Sequence, residues 1–300
     1  MKFSIAAVVL LALPFAKAHP ARRSVSTDPQ ILNFALTLEH LESAFYSQTL
    51  AKFSPAQFAA AGYPSWVRGR FEQISDHENI HVTFLSTALA AAKATAVKPC
   101  EYNFPIPNLK SAMQLAAILE AVGSTAYTGA ILSISNKDYA QAAASILGVE
   151  ARHAGWINSA VQHGSAWDSA FQTALGAGQV YTLASQFIKS CPEGNAAQLP
   201  PLKRFPALTI DGAKPGKTVT VSFAAPNPSN GPFYAVFITG ISTPLFVLIQ
   251  KGNKVEVPVD LMGIVYCVIT NSGTEVNDVT TVAGPAILSF EFDSEGKMVG

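Results

Sequence analysis

The segment Ile74-Ser75-Asp76-His77-Glu78-Asn79-Ile80-His81 has the pattern Ile-x-x-x-Glu-x-x-His, and the pattern returns as Ile146-Leu147-Gly148-Val149-Glu150-Ala151-Arg152-His153. On an α-helix each residue turns the chain by about 100°, so a Glu and a His three positions apart lie roughly 60° apart on one face and can hold one metal ion. A second duplicate precedes each copy: Leu38-Glu39 with Tyr46 seven residues on, and Leu119-Glu120 with Tyr127 seven residues on. Seven residues are about two turns, which places each Tyr almost directly above its own Glu. Carboxylates with two imidazoles suit Fe or Mn, and geometry alone does not choose between them.

Helices must present these side chains. From Asp28 to about Lys52, Ile31, Phe34, Ala35, Leu38, Leu41 and Phe45 recur at three- and four-residue steps, with Thr27 or Asp28 as cap and Pro29 at the first helical position. This first helix carries Glu39, Glu42 and Tyr46. Ser54 to Pro64 reads as a short irregular insertion, and a second helix over about Ser65 to Lys93 carries Glu78 and His81. Pro99, Pro105 and Pro107 mark an extended crossover. A third helix spans about Asn108 to Ser135, where Glu120 is the only Asp, Glu, Lys, Arg or His between Ser111 and Asn136. Such a carboxylate would pay a severe desolvation penalty without a partner, and its central place speaks against a membrane span. The fourth helix, about Lys137 to Gln162, holds Glu150 and His153 and ends at His163-Gly164, and a fifth runs from Gln179 to Lys189.

The order Glu39, Glu78-x-x-His81, Glu120, Glu150-x-x-His153 is similar to the ligand set of di-iron and di-manganese four-helix bundles, so the chain resembles the ferritin-like superfamily. The phrase Val180-Tyr181-Thr182-Leu183-Ala184-Ser185-Gln186-Phe187-Ile188 looks like the fifth-helix signature of its secreted branch, which includes plant desiccation-related proteins and fungal stress-response and late-sexual-development proteins. The resemblance covers residues 28–192. It implies a ferritin-like four-helix bundle with a fifth helix and a dinuclear, carboxylate-bridged Fe or Mn centre. Glu39 and Glu120 would be terminal ligands, Glu78 and Glu150 would bridge, and His81 and His153 would each complete one ion. Tyr46 and Tyr127 would hydrogen-bond ligand carboxylates, buffer electrons or simply pack.

The expected chemistry is the handling of dioxygen or peroxide in stress or development, with no further catalytic residue assigned. The competing expectation is a non-enzymatic extracellular or cell-wall protein whose metals only stabilise the bundle. Glu42 lies one turn beyond Glu39 and could replace it. The internal repeat aligns Glu39 with Glu120 and Glu42 with Gly123, so Glu39 is the expected ligand and Glu42 an exposed residue or one standing behind the ligands. His40 and His77 are expected to point about 100° away from their ligand neighbours, into solvent or packing.

With 300 residues, 49% hydrophobic and 13% charged, the chain has material for two packed cores. Its net charge is zero and no basic cluster exceeds two residues, which argues against nucleic-acid binding. Lys2, the apolar run Ile5 to Phe15 and Ala16-Lys17-Ala18 predict a signal peptide over residues 1–18, too short to be a comfortable membrane anchor. Residues 19–27 then form a tail or a short propeptide, with Arg22-Arg23 as a processing point, and the protein is expected outside the cell or in the cell wall. Three cysteines suit an oxidising compartment. Cys100 and Cys191 both lie in Pro-containing segments just outside helices and form the expected disulfide. Cys267, inside a strand pattern, is expected to be a buried thiol. Asn227-Pro228-Ser229 has the Pro that forbids glycosylation.

A linker over residues 193–206 leads to a region of different character, residues 207–300, which contains no His. Strand patterns run over Thr218 to Phe223, Phe233 to Ile238, Leu245 to Ile249, Lys254 to Val257, Ile264 to Thr270 and Ala286 to Phe292, with a hairpin turning on Lys251-Gly252-Asn253. Their spacing predicts a small β-sandwich, making the whole an α+β multidomain chain. The region has no catalytic constellation and reads as a packing or interaction module for a protein or cell-wall partner.

Overall fold

Helix α1 (Asp28–Lys52) begins with Pro29 in its first turn, behind Thr27, whose backbone N–H donates to the Gln30 side chain at 3.0 Å. The structure, a computed structural model, describes residues 26–224 and 231–299; the expected signal peptide and Arg22-Arg23 lie outside the described residues. Where an irregular insertion was expected, Pro55–Ala60 forms helix α2. The signal for it is local: Ser54 caps Gln57, whose side chain returns to the Ser54 backbone N–H at 2.9 Å.

Helix α3 (Ser65–Ala91) packs along α1, and after the Pro-marked crossover, which contains the two-residue strand β1 (Glu101–Tyr102), α4 (Leu109–Ala130) packs along α5 (Lys137–Trp156). The two sequence repeats are therefore two helix pairs, joined where α1 meets α4. Helix α5 continues as a π-helical turn, Ile157–Val161, and the chain leaves through His163 with a left-handed φ of 60°. Residues Leu109–Ser133 are long and apolar enough to cross a membrane, with mean hydropathy 1.4, but 67% of that window is buried inside the protein. It is the core helix of the bundle.

Helix α6 (Ala177–Ala184) is shorter than the expected fifth helix. Its continuation straightens into β2 (Ile188–Ser190), which pairs antiparallel with β1, because that edge offers backbone partners a helix would leave in water. Cys100 and Cys191 form a disulfide beside this pair. The side chain of Asn195, at the start of α7 (Asn195–Gln198), accepts from Lys98 N–H at 3.0 Å and donates to Lys98 C=O at 2.7 Å.

Two antiparallel sheets follow. One has the order β3 (Leu208–Ile210), β4 (Thr218–Phe223), β7 (Lys254–Glu256). The other has the order β6 (Leu245–Leu248), β5 (Tyr234–Ile238), β8 (Gly263–Thr270), β9 (Thr281–Phe290). They enclose Val219, Val221, Val255, Phe237, Val265, Cys267 and Ile269. Strand alternation sends Val236, Ile238, Tyr266 and Val268 to the other face, where they join the apolar core of the helices. Strands β5 and β8 are thus buried on both sides, which is why β8 reads as the unbroken apolar run Ile264-Val265-Tyr266-Cys267-Val268-Ile269. Strand β9 starts five residues before the expected Ala286. Gly284-Pro285 masks its first half as a turn, whereas in the structure the two residues sit at a register shift against β8.

Candidate metal centre

The four carboxylates of the repeat arrive on four different helices: Glu39 on α1, Glu78 on α3, Glu120 on α4 and Glu150 on α5. All four are 0% exposed. His81 follows Glu78 by three residues and His153 follows Glu150 by three, so both rings turn to the same interior face. Two groups result. Glu39, Glu78, His81 and Glu150 form one, and Glu78, Glu120, Glu150 and His153 the other; within each, one potential ligand atom per residue lies within 4.8 Å of the rest. Glu78 and Glu150 belong to both.

The hydrogen bonding inside this cluster is incomplete. His81 Nδ1 lies 3.0 Å from Glu78 Oε2, 3.2 Å from Glu39 Oε2 and 3.4 Å from Glu150 Oε1. His153 Nδ1 lies 3.1 Å from Glu120 Oε2 and 3.3 Å from Glu78 Oε1. One ring nitrogen carries at most one proton and cannot satisfy two or three carboxylate oxygens. Glu78 Oε1 and both oxygens of Glu150 are buried without a hydrogen-bond partner. Buried oxygens left unpaired beside imidazole nitrogens are the donor set that a divalent cation satisfies, so these acidic and imidazole groups are positioned to bind metal.

The tyrosines cross between the repeats. Tyr46, on the helix of Glu39, donates to Glu120, and Tyr127, on the helix of Glu120, donates to Glu39. Helix geometry placed each Tyr above its own Glu; packing of α1 against α4 brings the other repeat's carboxylate closer. Burial, then the charge of the bonded Glu, pushes both phenols well above their ordinary range, so both remain donors.

Three neighbours of the cluster, His77, His40 and Glu42, take definite places in the structure. His77 is exposed and packed, as expected, but what it packs on is a residue of the cluster: its Nδ1 lies 3.0 Å from His153 Nε2, and the two rings stack at 5.2 Å. An offset of about 100° from Glu78 turns His77 toward the flank of α3 that faces α5, where the ring stays exposed to solvent while one face packs on His153. His40 is half-buried against the backbone of Val97. Of the two places expected for Glu42 the structure shows the second: it is 4% accessible and sits beside Glu150, behind the candidate ligands. A Cβ on Gly123 would lie 2.7 Å from Glu150 Oε2 and 2.9 Å from Glu42 Oε1. The exchange of Glu42 for Gly123 between the repeats is therefore complementary: the glycine in one half vacates the space that the carboxyl of the other fills. That exchange was the available sequence signal for Glu42.

Burial and neighbouring charge set the protonation of the cluster. Burial pushes Glu39 up to about 7 against the hydrogen bond from His81. It pushes Glu42 and Glu150 well above the usual carboxylate range, aided by neighbouring carboxylates, and raises Glu120. For Glu78 burial is outweighed by hydrogen bonds and charge from His153 and His81, which bring it down to about 2. Burial disfavours both imidazolium ions, but the surrounding carboxylates outweigh it and raise His81 to about 12 and His153 to about 9. At neutral pH the cluster thus holds protons that a cation would displace.

Residues 27–163 match a family model described as a ferritin-like domain. Protein rds1 of Schizosaccharomyces pombe is 24% identical over 254 residues, covering 82% of this chain. The chain spans 61% of that relative's length. The chain therefore carries a ferritin-like helical domain followed by a region of antiparallel sheets.

Proposed function

We propose that the ferritin-like domain of this chain holds two divalent cations, Fe or Mn, on Glu39, Glu78, His81, Glu120, Glu150 and His153, and uses them on dioxygen or peroxide. The observation that carries this reading is the sharing of Glu78 and Glu150 by two ligand groups, since a shared carboxylate can bridge two ions. Four carboxylates also balance the charge of two divalent cations. A metal pair, when bound, supplies Lewis acidity and a two-oxygen clamp. The chain's own part is to hold the carboxylates in place through Tyr46 and Tyr127 and to keep bulk water from the buried site. The disulfide and the expected leader favour a role outside the cell.

A purely structural role is the second reading. The crosswise tyrosine bonds support it, because they tie the helix pairs together whatever the ion does. Elemental analysis of protein purified without chelator tests both. About two Fe or Mn per chain, with turnover of peroxide or dioxygen, is expected; the same metal without turnover would leave the structural role, and no metal would overturn the metal centre and leave the helices a structural scaffold.

A further inference from the structure

A cleft of about 430 Å³ opens where the helical and β halves meet, with α1, α4 and α6 on one side and β9 and residues 204–211 on the other. That volume falls in the range of small-molecule sites. On α1 and α4 its wall is apolar, built from Leu38, Leu41, Leu115, Leu119 and Val122, while Thr182 of α6 lines it with a hydroxyl already bonded to Gly178 C=O and Phe205 N–H. Two residues on α1 and α4 differ. Glu42 is buried, and among the described residues no group donates a hydrogen bond to its carboxyl. Gly123 contributes only backbone, and directly behind it stands Glu150 Oε2. No side chain of Gly123 therefore stands between the cleft and a carboxylate that belongs to both ligand groups.

An apolar wall selects an apolar body, and a buried carboxyl without a protein partner calls for a hydrogen-bonding group on the same molecule. Arg204 and Asp211, of opposite sign, both line the cleft on the β side and favour neither an anion nor a cation there. We propose that the cleft binds a neutral, largely apolar hydroxy compound, with its hydroxyl on Glu42 and directed past Gly123 to the Glu150 edge of the metal centre. As the organic reactant of that centre, the compound's role rests on the function proposed above; its binding to the cleft does not.

The probe is 2-naphthol, with naphthalene as its hydroxyl-free counterpart, each measured by equilibrium dialysis against the full chain before and after metal loading. Metal per chain is determined on the same samples. The wild-type protein is expected to bind 2-naphthol about tenfold more tightly than naphthalene. Ile118→Trp fills the cleft from α4 and Ala286→Trp fills it from β9. Each is expected to weaken 2-naphthol by about tenfold or more. Because the two variants lie on opposite walls, a shared loss reports filling of the cleft and not damage to one element. Glu42→Leu is expected to abolish the preference for 2-naphthol while naphthalene binding persists. Equal affinity for the two probes in the wild-type protein, or undiminished 2-naphthol binding in both filled variants, would overturn the proposal. Selective binding by protein that takes up no metal would uphold the cleft and overturn the metal reading.

Discussion

Five carboxyl groups and two imidazoles occupy the centre of the helical half, whereas Val219, Val221, Phe237, Val265, Cys267 and Ile269 fill the centre of the sandwich, none more than 7% exposed. Burying ionisable groups is unfavourable unless they are paired, so the helical core holds together only with protons or cations among its carboxylates. The sandwich needs no such counter-charge, because apolar area removed from water stabilises it directly. Its one titratable core group shows the same contrast: burial pushes the Cys267 thiol far up and keeps it neutral. The candidate metal centre thus lies in the half whose core is harder to stabilise, and the half with the apolar core is pressed against it. Strands β5 and β8 belong to both cores, and Tyr266 reaches from β8 to Thr125 Oγ1 at 3.0 Å, five residues beyond Glu120 on α4.

The largest effect that separates the halves is on metal content. Glu78→Ala or Glu150→Ala removes a carboxylate shared by both ligand groups and should abolish binding of both ions by elemental analysis; Glu42→Ala, outside both groups, should retain them. Equal metal in all three variants would break the assignment. Next comes the sandwich: Phe237→Ala should cost about 3–5 kcal/mol in denaturant unfolding and leave metal per folded chain unchanged. Loss of metal along with stability would show that the two cores are one cooperative unit.

Metal affinity should depend on pH in one direction. A cation needs neutral imidazoles and ionised carboxylates, and His81, His153 and Glu39 all hold their protons to higher pH than usual. Binding therefore releases protons, and affinity rises with pH through about 7 for Glu39 and about 9 for His153, by about tenfold per unit for each proton displaced. Calorimetric titration in buffers of different ionisation enthalpy checks this, and a flat profile would contradict it. The smallest effect sharpens the boundary: Tyr266→Phe removes the Thr125 hydrogen bond and should cost about 0.5–1.5 kcal/mol in thermal unfolding without changing metal content.

Legibility in the sequence followed the range of the interaction. Helices α1, α3, α4 and α5 were readable from apolar periodicity, and strand β4 from alternation over Thr218–Phe223. The end of α6 was not, since Ile188–Ser190 becomes a strand only because Glu101–Tyr102 lies beside it. Nor was β3, a three-residue strand whose pattern is too short to register and whose partner is the distant β4.

The candidate site divides in the same way. Spacing within single helices determined that Glu78 with His81, and Glu150 with His153, share a face, because three residues on a helix return to that face whatever surrounds it. The doubled order of Glu and Glu-x-x-His determined the ferritin-like expectation. Only the tertiary structure decided that Tyr46 bonds Glu120 and Tyr127 bonds Glu39, that His77 stacks on His153, and that Glu42 lies buried against Gly123. Local periodicity fixes the direction of a side chain about its own axis, but which group it meets depends on how neighbouring helices pack, and that is set by long-range contacts.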